Sequence, residues 1–531
     1  MGISNLSSQA VKEGNQNFKK PQRPDSAMEA TRPDVSPSLV SLLRHEAPYW
    51  HTFTSNAKMR WYGRRILDVL VEEFRDRTKH YYTWAIHKGL LKINGKPVRP
   101  TYIVKNGDVI THRTHKHEPA ITSDPVRILY HSEEEGRIVV VKPGSIPVHA
   151  AGRYLRHTLL ELLKSDHGID RVYAANRLDR LTSGIMVAST TTDAAKTLSA
   201  DFESGRVRKA YVCRVKGMFP EKEVTCDAPL LTLDRQTGVV ISHPSGREAR
   251  TIFSRLSYDE HSDTSILFCR PLTGRTHQIR VHAQLLGHPI SNDPMYSHPI
   301  WNQYRPDSLA AIAIPVVVSI PDGKVTLNQA AAHANTESTK ALAADPRCAA
   351  IINALKNTKD EGEGYSRLKD EIRFTQWNRE NGWLEAETAE GINSEPAVGN
   401  IARNVTDNEA VGWCEECHLP LLPDPDPSSL FIYLHAIRYE TDRWSFEDEM
   451  PWWALEDWME PGAQAKAAER RHLGVSVRPP RVKLYSELKS LKPTEVADRE
   501  RPALPSKNQK QPSRSTPPKA CKSRSAAIRE Y

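Results

Sequence analysis

Strand-like and helical stretches alternate between residues 126 and 320 of the 531-residue chain, and this alternation restricts the fold more than any other feature. Helical stretches are TLLELL and RTHQIRVHAQLLGHP, and the second is expected to end at Gly287. The strand-like stretches are RIVVVKP, GIMVAS, KAYVCRVKG and TSILFCRP. This mixture predicts a large domain that contains both α-helices and β-strands.

Shifts in composition divide the chain into six segments. The two ends are polar and contain prolines, which is typical of segments that bury no core. A stretch rich in Ala, Asn and Glu, with little periodicity, predicts an insertion or linker. The predicted segments are a disordered N-terminus (1–47), a small module (48–120), the large domain (121–327), the insertion or linker (328–400), the C-terminal part of the large domain (401–460) and a basic disordered tail (461–531).

The small module is predicted to combine two short helices with a β-hairpin. The first helix, RRILDVLVEEF, has an apolar face made of Ile66, Val69, Leu70 and Phe74. The second helix is expected to end at Gly89, and the strand LLKI turns at Asn94-Gly95, a dipeptide favoured in tight hairpins. A module of this size is too small to hold an active site of its own.

The seven cysteines are an odd and sparse set for this length, which argues against a disulfide framework and for a reducing compartment. The longest apolar run, residues 309–320, is too short to span a bilayer and contains a proline. The net charge of +8 comes from the tail, because residues 461–531 carry 17 Lys and Arg against 6 Asp and Glu (17 − 6 = +11), which leaves −3 for the rest of the chain. We therefore expect a soluble intracellular protein with no membrane partner. The cytoplasm is the default location, the basic tail also suits nuclear import, and a mitochondrial location stays open.

NRLDRLTSG places one carboxylate, Asp179, between Arg177 and Arg180 and follows it with a turn of small residues. Ser183 and Gly184 permit a sharp turn that aims the Asp side chain into a cleft. Flanking arginines lower the pKa of a carboxyl group, so Asp179 is predicted to stay ionised at neutral pH and to be available as a nucleophile. The alternative is an exposed Asp179 in a surface ion pair with either arginine.

Two further stretches carry polar side chains at positions that suit an active site. On an alternating strand, KAYVCRVKG puts Lys209, Tyr211 and Cys213 on one face, although a strand with a core tyrosine explains the same pattern. In the second predicted helix, Ile279 belongs to the buried stripe and Arg280 lies at its edge. Arg280 is either a surface cation or the partner of a buried Asp, which would explain how two charges are tolerated inside the protein.

Three motifs together resemble those of the RluA-type pseudouridine synthases, in the same order and at fitting distances: NRLDRLTSG, KAYVCRVKG and GRTHQIRVHAQLLGHPISNDPMY. KPGSIPVHAAGRY and FIYLHAIRYE are similar to supporting segments of that family. WCEECHLPLL and the opening PYW…RWYGRRILDVLVEEF resemble the eukaryotic branch that includes tRNA position-32 synthases. The module at 48–120 resembles the S4-like RNA-binding domain of many members. Cys213 stands where the family usually has Ala, and the insertion and tail have no family counterpart.

The resemblance implies an α+β fold with a bent, mainly antiparallel central sheet flanked by helices, together with the S4-like module and disordered termini. It also implies an isomerase that converts uridine in RNA to pseudouridine. The reaction cleaves the N-glycosidic bond, turns the base over and joins C5 to the same sugar, and it needs no cofactor and no metal. The RNA is expected to be tRNA, with rRNA and mRNA left open, and the enzyme is expected to be a monomer.

The family motifs assign roles to individual residues. Asp179 corresponds to the catalytic carboxylate, Tyr211 to the tyrosine that stacks on the base and mediates proton transfer, and Arg280 to the arginine that pairs with the carboxylate. The residues expected to contact RNA are Arg177, Arg180, Arg275, Ile279, Arg64 and Arg65. The alternative is a catalytically silent RNA-binding or assembly factor that keeps the fold.

Cys414 and Cys417 resemble half of a zinc site, but zinc normally takes four ligands and the sequence has no second cysteine pair. His418 or His435 would have to complete the site. A buried structural pair is therefore the preferred interpretation, and no metal ligand is predicted. The histidines of HRTHKH, residues 112–117, are expected to lie on a solvated strand edge.

Overall fold

The computed structural model describes residues 43–74, 77–234, 237–243, 245–303, 324–326, 346–361, 414–417, 421 and 423–455. The predicted N-terminal segment before residue 43, most of the predicted insertion and the basic tail lie outside these residues. Among the helices of the described part, none is both long and apolar enough to cross a lipid bilayer.

The described part of the chain contains nineteen strands and seven α-helices. The strands are β1 (Leu43–Arg44), β2 (Tyr49–Asn56), β3 (Leu91–Ile93), β4 (Lys96–Pro97), β5 (Val109–Lys116), β6 (Ile121–Thr122), β7 (Arg127–Ser132), β8 (Arg137–Lys142), β9 (Tyr173–Ala174), β10 (Ser183–Ser189), β11 (Arg208–Lys216), β12 (Val224–Asp227), β13 (Leu230–Asp234), β14 (Val239–Ser242), β15 (Arg250–Asp259), β16 (Thr264–Pro271), β17 (Lys324–Thr326), β18 (Leu434–Glu440) and β19 (Ser445–Glu447). The helices are α1 (Ile66–Val69), α2 (Lys79–His87), α3 (Leu159–His167), α4 (Thr192–Glu203), α5 (Gln278–Leu285), α6 (Ile300–Gln303) and α7 (Pro346–Glu361).

The N-terminal module is built on strands β2, β5, β3 and β4, which pair in this order and antiparallel. Asn94 and Gly95 turn β3 into β4 with φ angles of 53° and 75°, in agreement with the hairpin prediction. Ile66, Val69 and Leu70 are buried in the core of the module, also as predicted. This arrangement gives the module an apolar core separate from that of the large domain.

One residue predicted for this core lies outside it. Phe74 is 42% exposed, because the helix changes after Val69 to a π-helical turn that runs from Leu70 to Phe74. A π-helical turn contains more residues than an α-helical turn, so its last residue rotates away from the apolar face of α1. The ring of Phe74 lies instead beside that of Trp61, with the ring centroids 5.5 Å apart.

The prediction of a solvated histidine edge on β5 is wrong for His115, which is only 2% exposed. His115 and His117 are two residues apart along an extended segment, so their side chains point to the same side. The turn at Cys414–Cys417 lies against that side and covers it, since Cys414 Sγ is 3.4 Å from His115 Nδ1. The sequence pattern of β5 does not indicate this burial, because the residues that cover His115 lie about three hundred positions later in the chain.

The large domain is built on one sheet of eleven strands. Nine follow the order β17-β12-β15-β16-β11-β18-β10-β8-β7, while β19 pairs with β18 and β9 pairs with β10. Among the described pairs of this sheet, only β10–β18 and β12–β17 are parallel. Helices α3 and α4 bury Leu159, Leu163 and Leu198 in the same core as β8 and β10. The predicted α+β class with a mainly antiparallel sheet is thereby confirmed.

Helix α5 is held by a second core in the large domain. Val281 of α5 packs with Val239 of β14 and with Ile351 and Leu355 of α7. This packing fixes the helix that carries Arg280, so the position of the guanidinium depends on β14 and α7.

Strand β18 lies between β10 and β11 and sets the distance between the NRLDRLTSG and KAYVCRVKG motifs. Ala436 of β18 lies opposite Gly184 of β10 and opposite Tyr211 of β11. A Cβ atom at Gly184, whose φ is 115°, would lie 2.3 Å from the backbone oxygen of Ala436. Only glycine permits so close an approach of the two strands.

Candidate active site

Asp179 lies in the loop between β9 and β10, and its side chain is 19% exposed. The buried side chains of Leu178 and Leu181 anchor the loop on either side of it. The backbone N–H of Thr182 donates to the Asp179 carbonyl at 3.1 Å and closes the turn. Leu178 and Leu181 are both buried, and the carboxylate between them in the sequence faces the start of α5.

Arg280 of α5 contacts two carboxylates and is 5% exposed. Its Nη1 donates to Asp179 Oδ2 at 3.2 Å, while Nε and Nη2 donate to Asp293 Oδ2 and Oδ1 at 2.6 and 2.9 Å. Asp293 is fully buried, and it also accepts the backbone N–H groups of Met295 and Tyr296. The forked contact with Asp293 fixes the plane of the guanidinium and leaves one amino group for Asp179.

Burial alone would raise the pKa of Asp179, but the positive charges around it lower the pKa below its ordinary value. The groups that lower it are His277 in its protonated form, Arg280 and Arg177. Burial lowers the pKa of His277 to about 4, so this imidazole is neutral at pH 7. Arg280 is therefore the main cation that keeps Asp179 ionised at neutral pH.

His277 places an N–H group beside the carboxylate. Its Nε2 lies 3.6 Å from Asp179 Oδ2, and its Nδ1 lies 2.8 Å from the hydroxyl of Tyr296. That hydroxyl accepts the backbone N–H of Val240 at 3.1 Å, so it has its own proton to donate to Nδ1. The neutral ring then carries its hydrogen on Nε2, the nitrogen that faces Asp179.

Tyr211 lies on β11, and its hydroxyl is 2.8 Å from that of Tyr439 on β18. Tyr439 accepts a hydrogen bond from Asn176 Nδ2 at 3.2 Å. Burial, with the neighbouring hydroxyl and the charge of Asp179, raises the pKa of Tyr211 well above its ordinary value. Tyr211 is therefore a neutral phenol at neutral pH, and its pKa responds to the charge of Asp179.

Lys142 supports the same loop from beneath. Its ammonium group is completely buried and donates to the carbonyl oxygens of Pro143, Ile146 and Arg180 at 2.8, 2.9 and 3.2 Å. Burial lowers the pKa of Lys142 to about 7. The three contacts join the KPGSIP segment to the backbone next to Asp179.

His435 does not complete a metal site with the cysteines, because both of its ring nitrogens face other partners. Nδ1 lies 3.0 Å from the hydroxyl of Ser183, and Nε2 lies 3.2 Å from Asp448 Oδ2. Arg127 donates to the other oxygen of Asp448 at 2.6 Å. Through Ser183, His435 of β18 therefore contacts the end of the loop that carries Asp179. The other proposed ligand, His418, lies outside the described residues.

The predicted RNA-contacting residues occupy different environments. Arg177 and Arg275 are exposed, and Arg180 donates to the Tyr154 hydroxyl at 3.3 Å. Ile279 is 6% exposed, which leaves little of its surface for a nucleotide. In the module, Arg64 pairs with Glu72 and Glu73, and Arg65 pairs with Asp68. Arg177 and Arg180 lie in the same loop as Asp179, and Arg275 lies just before α5, whereas the arginines at 64 and 65 are already partnered by acids.

The site contains four residues to which the sequence interpretation gave no role: Lys142, His277, Asp293 and Tyr439. All four fall inside stretches that resemble family segments, and that position is the only sequence signal they give. Their side chains acquire a function only through contacts with residues of other elements.

Comparisons with known proteins agree with this geometry. The family model described as RNA pseudouridylate synthase matches residues 137–285. The mouse protein "Pseudouridylate synthase RPUSD2" is 36% identical over 425 residues, which cover 79% of this chain and 72% of the mouse protein. The yeast (Saccharomyces cerevisiae) "tRNA pseudouridine(32) synthase, mitochondrial" is 32% identical, over 78% of this chain and 77% of its own length. The yeast "tRNA pseudouridine(31) synthase" is 30% identical, over 78% and 96%.

These matches define the class of protein, an enzyme that isomerises uridine in RNA to pseudouridine. Within this class, the chain belongs to the RluA-like family of pseudouridine synthases, in the branch that includes eukaryotic tRNA synthases. The family assignment, the fold class and the enzymatic class predicted from the sequence are confirmed.

Proposed function

We propose that Asp179 is the catalytic carboxylate of this synthase, with Arg280 as its ion-pair partner and Tyr211 as the group that stacks on the base and moves a proton. The observation that carries the proposal is the buried Arg280, fixed by Asp293 and donating to Asp179 at 3.2 Å. An ionised carboxylate held in this way suits a reaction that breaks a bond at the anomeric carbon of a sugar.

The two oxygens of Asp179 are not equivalent in this arrangement. Among the described residues, Arg280 and His277 both contact Oδ2, at 3.2 and 3.6 Å. Oδ1 is therefore the oxygen available to the nucleoside. Attack at C1′, addition to the base and assistance to a glycal intermediate all require such an oxygen, and the present geometry is compatible with each of the three routes.

The proton balance of the reaction explains the phenol. The C1′–N1 bond breaks, a C1′–C5 bond forms, C5 loses its proton, and N1 is protonated in the product. Tyr211 is neutral and its hydroxyl is 2.8 Å from that of Tyr439, so the phenol has a proton to give to N1 and can recover one from C5, which closes the balance. The flat ring of Tyr211 also suits stacking on a base.

We propose tRNA as the substrate RNA. The proposal is supported by two yeast relatives that are named as tRNA synthases for positions 32 and 31. The base must leave its stack before reaction, which costs a few kcal/mol and is easiest in a loop. Arg177, Arg180 and Arg275 are placed to contact phosphates around such a loop. The S4-like role of the module, the monomeric state and the cytoplasmic or nuclear location stay predictions, and the mitochondrial name of one yeast relative keeps that location open.

The test compares pseudouridine maps of unmodified tRNA, rRNA and mRNA pools after incubation with the purified chain or with Asp179→Asn. Asparagine keeps the size of the side chain but removes its charge, so we expect the variant to fold and to leave all uridines unchanged. Asp170→Asn is the matched control, because Asp170 is an exposed carboxylate in the preceding loop. New pseudouridines in tRNA alone support both parts of the proposal. New pseudouridines made equally by the Asp179 variant would overturn the role of Asp179, and no new pseudouridine from either chain would favour the RNA-binding or assembly factor. Pseudouridines in rRNA alone would overturn the tRNA assignment.

A further inference from the structure

Two histidines and two cysteines from distant parts of the sequence meet beside the N-terminal module. The four are His115, His117, Cys414 and Cys417, and their ligand atoms all lie within 4.8 Å of one another. None of these side chains has a role in the candidate active site.

Three of the six separations between the ligand atoms are close to the edges of a metal tetrahedron, and the other three are no longer than 4.8 Å. His117 Nε2 lies 3.2 Å from His115 Nδ1 and 3.2 Å from Cys417 Sγ, and Cys414 Sγ lies 3.4 Å from His115 Nδ1. Zinc bonds of about 2.0–2.1 Å to nitrogen and about 2.3 Å to sulfur, at tetrahedral angles, place ligand atoms roughly 3.3–3.8 Å apart. A small adjustment of the side chains would therefore let one ion at the centre contact all four.

Local structure explains why each pair is available. His115 and His117 are two residues apart at the end of β5, so an extended backbone directs both rings to one side. Cys414 and Cys417 lie three residues apart in a turn, which is a spacing typical of zinc-binding cysteine pairs. Within the part of the chain that the structure describes, neither cysteine forms a disulfide. Two thiolates and two imidazoles form a ligand set that favours Zn²⁺ over magnesium or calcium.

The surroundings provide the outer contacts that metal-bound histidines usually have. His115 Nε2 is buried and has no hydrogen-bond partner among the described residues, but Glu416 Oε2 is 3.7 Å away. Glu416 is in turn held by the indole N–H of Trp50 at 2.6 Å. A carboxylate behind the second nitrogen of a ligating imidazole orients the ring and makes it a better ligand.

We propose that His115, His117, Cys414 and Cys417 bind one Zn²⁺ ion in a closed structural site. Four protein ligands leave no open coordination position, so the ion takes no part in the isomerisation. Cys417 is 3% exposed and packs into the core of the module, with Cys414 at its edge. The ion would thus connect the segment at 414–417 to the N-terminal module, whose two histidine ligands lie some three hundred residues earlier in the sequence. This proposal replaces the sequence-based expectation of a metal-free cysteine pair.

The first test measures zinc in the purified full-length chain by inductively coupled plasma mass spectrometry. We expect about one zinc per chain in the wild type and in Asp179→Asn, and little zinc in the double variant Cys414→Ser/Cys417→Ser. Matched controls are Cys521→Ser, which removes a thiol elsewhere, and His112→Asn, which removes a histidine of β5 outside the cluster. Both should retain zinc. Equal zinc in the double variant, or none in the wild type, would overturn the proposal.

The second test distinguishes loss of a ligand from loss of folding. After removal of the metal with a chelator, titration of the wild type with Co²⁺ should give the visible bands of a tetrahedral site and the near-ultraviolet band of thiolate bonded to cobalt. Cys414→His keeps four ligands, so it should retain the tetrahedral bands with a weaker thiolate band. A titration without thiolate bands, or a Cys414–Cys417 disulfide in the freshly purified wild type, would refute the zinc site.

Discussion

Arg280 determines the geometry of the proposed catalytic centre because it is shared between two carboxylates. Asp293 occupies Nε and Nη2 through a forked contact, so the remaining Nη1 has one orientation to offer to Asp179. A buried ion pair contributes little net stability, since desolvation offsets its attraction. The ion pair instead determines position, because the guanidinium that Asp293 fixes holds the carboxylate of Asp179 in one place.

Asp293→Asn is therefore expected to impair both folding and turnover. Removing one carboxylate leaves the charge of Arg280 under-compensated in a buried site, which typically costs about 3–5 kcal/mol. The guanidinium should then shift towards Asp179 and displace the reactive oxygen, and a displacement of about 1 Å can lower turnover about 100-fold. Urea unfolding and single-turnover rates on tRNA measure the two effects.

Asp193→Asn is the control for this variant, because Asp193 is an exposed carboxylate whose ion-pair partner among the described residues is Lys196 on the surface of α4. Its removal should change neither quantity. If Asp293→Asn lost stability but kept the wild-type single-turnover rate at a temperature where it is folded, the positional role of Asp293 would be refuted.

Tyr211→Phe tests the phenol apart from the ring. Phenylalanine keeps the flat surface for stacking but removes the hydroxyl that contacts Tyr439. We expect RNA affinity close to that of the wild type and turnover lower by about 10²–10⁴-fold, the usual share of general acid–base catalysis. Filter binding and single-turnover assays separate the two quantities, and Tyr439→Phe shows whether the effect requires the pair. Full activity in Tyr211→Phe would remove the proton-transfer role.

The sequence selects Asp179 and Arg280 as a pair, and their side chains lie 3.2 Å apart. It gives no comparable sign of Asp293 or His277, because an aspartate in a turn and a histidine before a helix resemble surface residues. His277 takes a φ of 55° just before α5, and its ring lies beside Asp179 only because the start of α5 and the loop before β10 come together in the folded chain. Contacts of this kind arise from tertiary structure, which no local pattern encodes.

The contact between β10 and β18 fixes the end of the loop that carries Asp179, because β10 begins where this loop ends. Gly184→Ala would place Cβ 2.3 Å from the Ala436 carbonyl oxygen in a backbone with a φ of 115°. Both the clash and the backbone angle oppose the substitution, so we expect a loss of about 3 kcal/mol or more of unfolding free energy. Activity should fall as well, since β10 begins four residues after Asp179. Urea unfolding and turnover measure these effects.

Gly168→Ala separates the two causes. Gly168 ends α3 with a φ of 69°, but a Cβ atom there would meet no other atom within 4 Å. Its substitution should therefore cost only about 1 kcal/mol, through the left-handed backbone angle, and should leave turnover unchanged. Equal losses for the two variants would show that strand separation at Gly184 is unimportant.

Local patterns predict the individual strands and helices better than their partners. The stretches assigned to β8, β10, β11 and β16 are strands in the structure, because each is a short apolar run with strand composition. The central position of β18 is different. Its partner residues on β11 lie more than two hundred positions earlier, with Tyr211 opposite Ala436, and periodicity carries no record of such pairing. The sequence marks Cys414 and Cys417 as half of a zinc site, but the two histidines of the proposed site, His115 and His117, escaped prediction for the same reason.

The large domain buries titratable groups whose charge state links its stability to pH. His282 of α5 is fully buried between the hydroxyl of Thr251 and the carbonyl of Ala228, at 2.9 and 3.0 Å. Burial lowers its pKa to about 4, as it does for His277. In the unfolded chain both histidines would titrate at about 6.5. Between these values the unfolded state binds more protons, so acidification favours unfolding.

The unfolding free energy should therefore fall as pH decreases from about 6.5 to about 4, by about 1.4 kcal/mol per pH unit for each such histidine. Buried carboxylates with lowered pKa values add their loss mainly below this window, because unfolded Asp titrates at about 3.9. Urea unfolding at closely spaced pH values measures the slope. His282→Gln removes one of the titrating groups, so the slope of its unfolding free energy against pH within the window should be smaller by about 1.4 kcal/mol per pH unit. Above pH 7 the wild type and the variant should have the same slope, which provides the internal control. Parallel curves across the whole range would show that His282 is protonated in the folded protein as readily as in the unfolded chain.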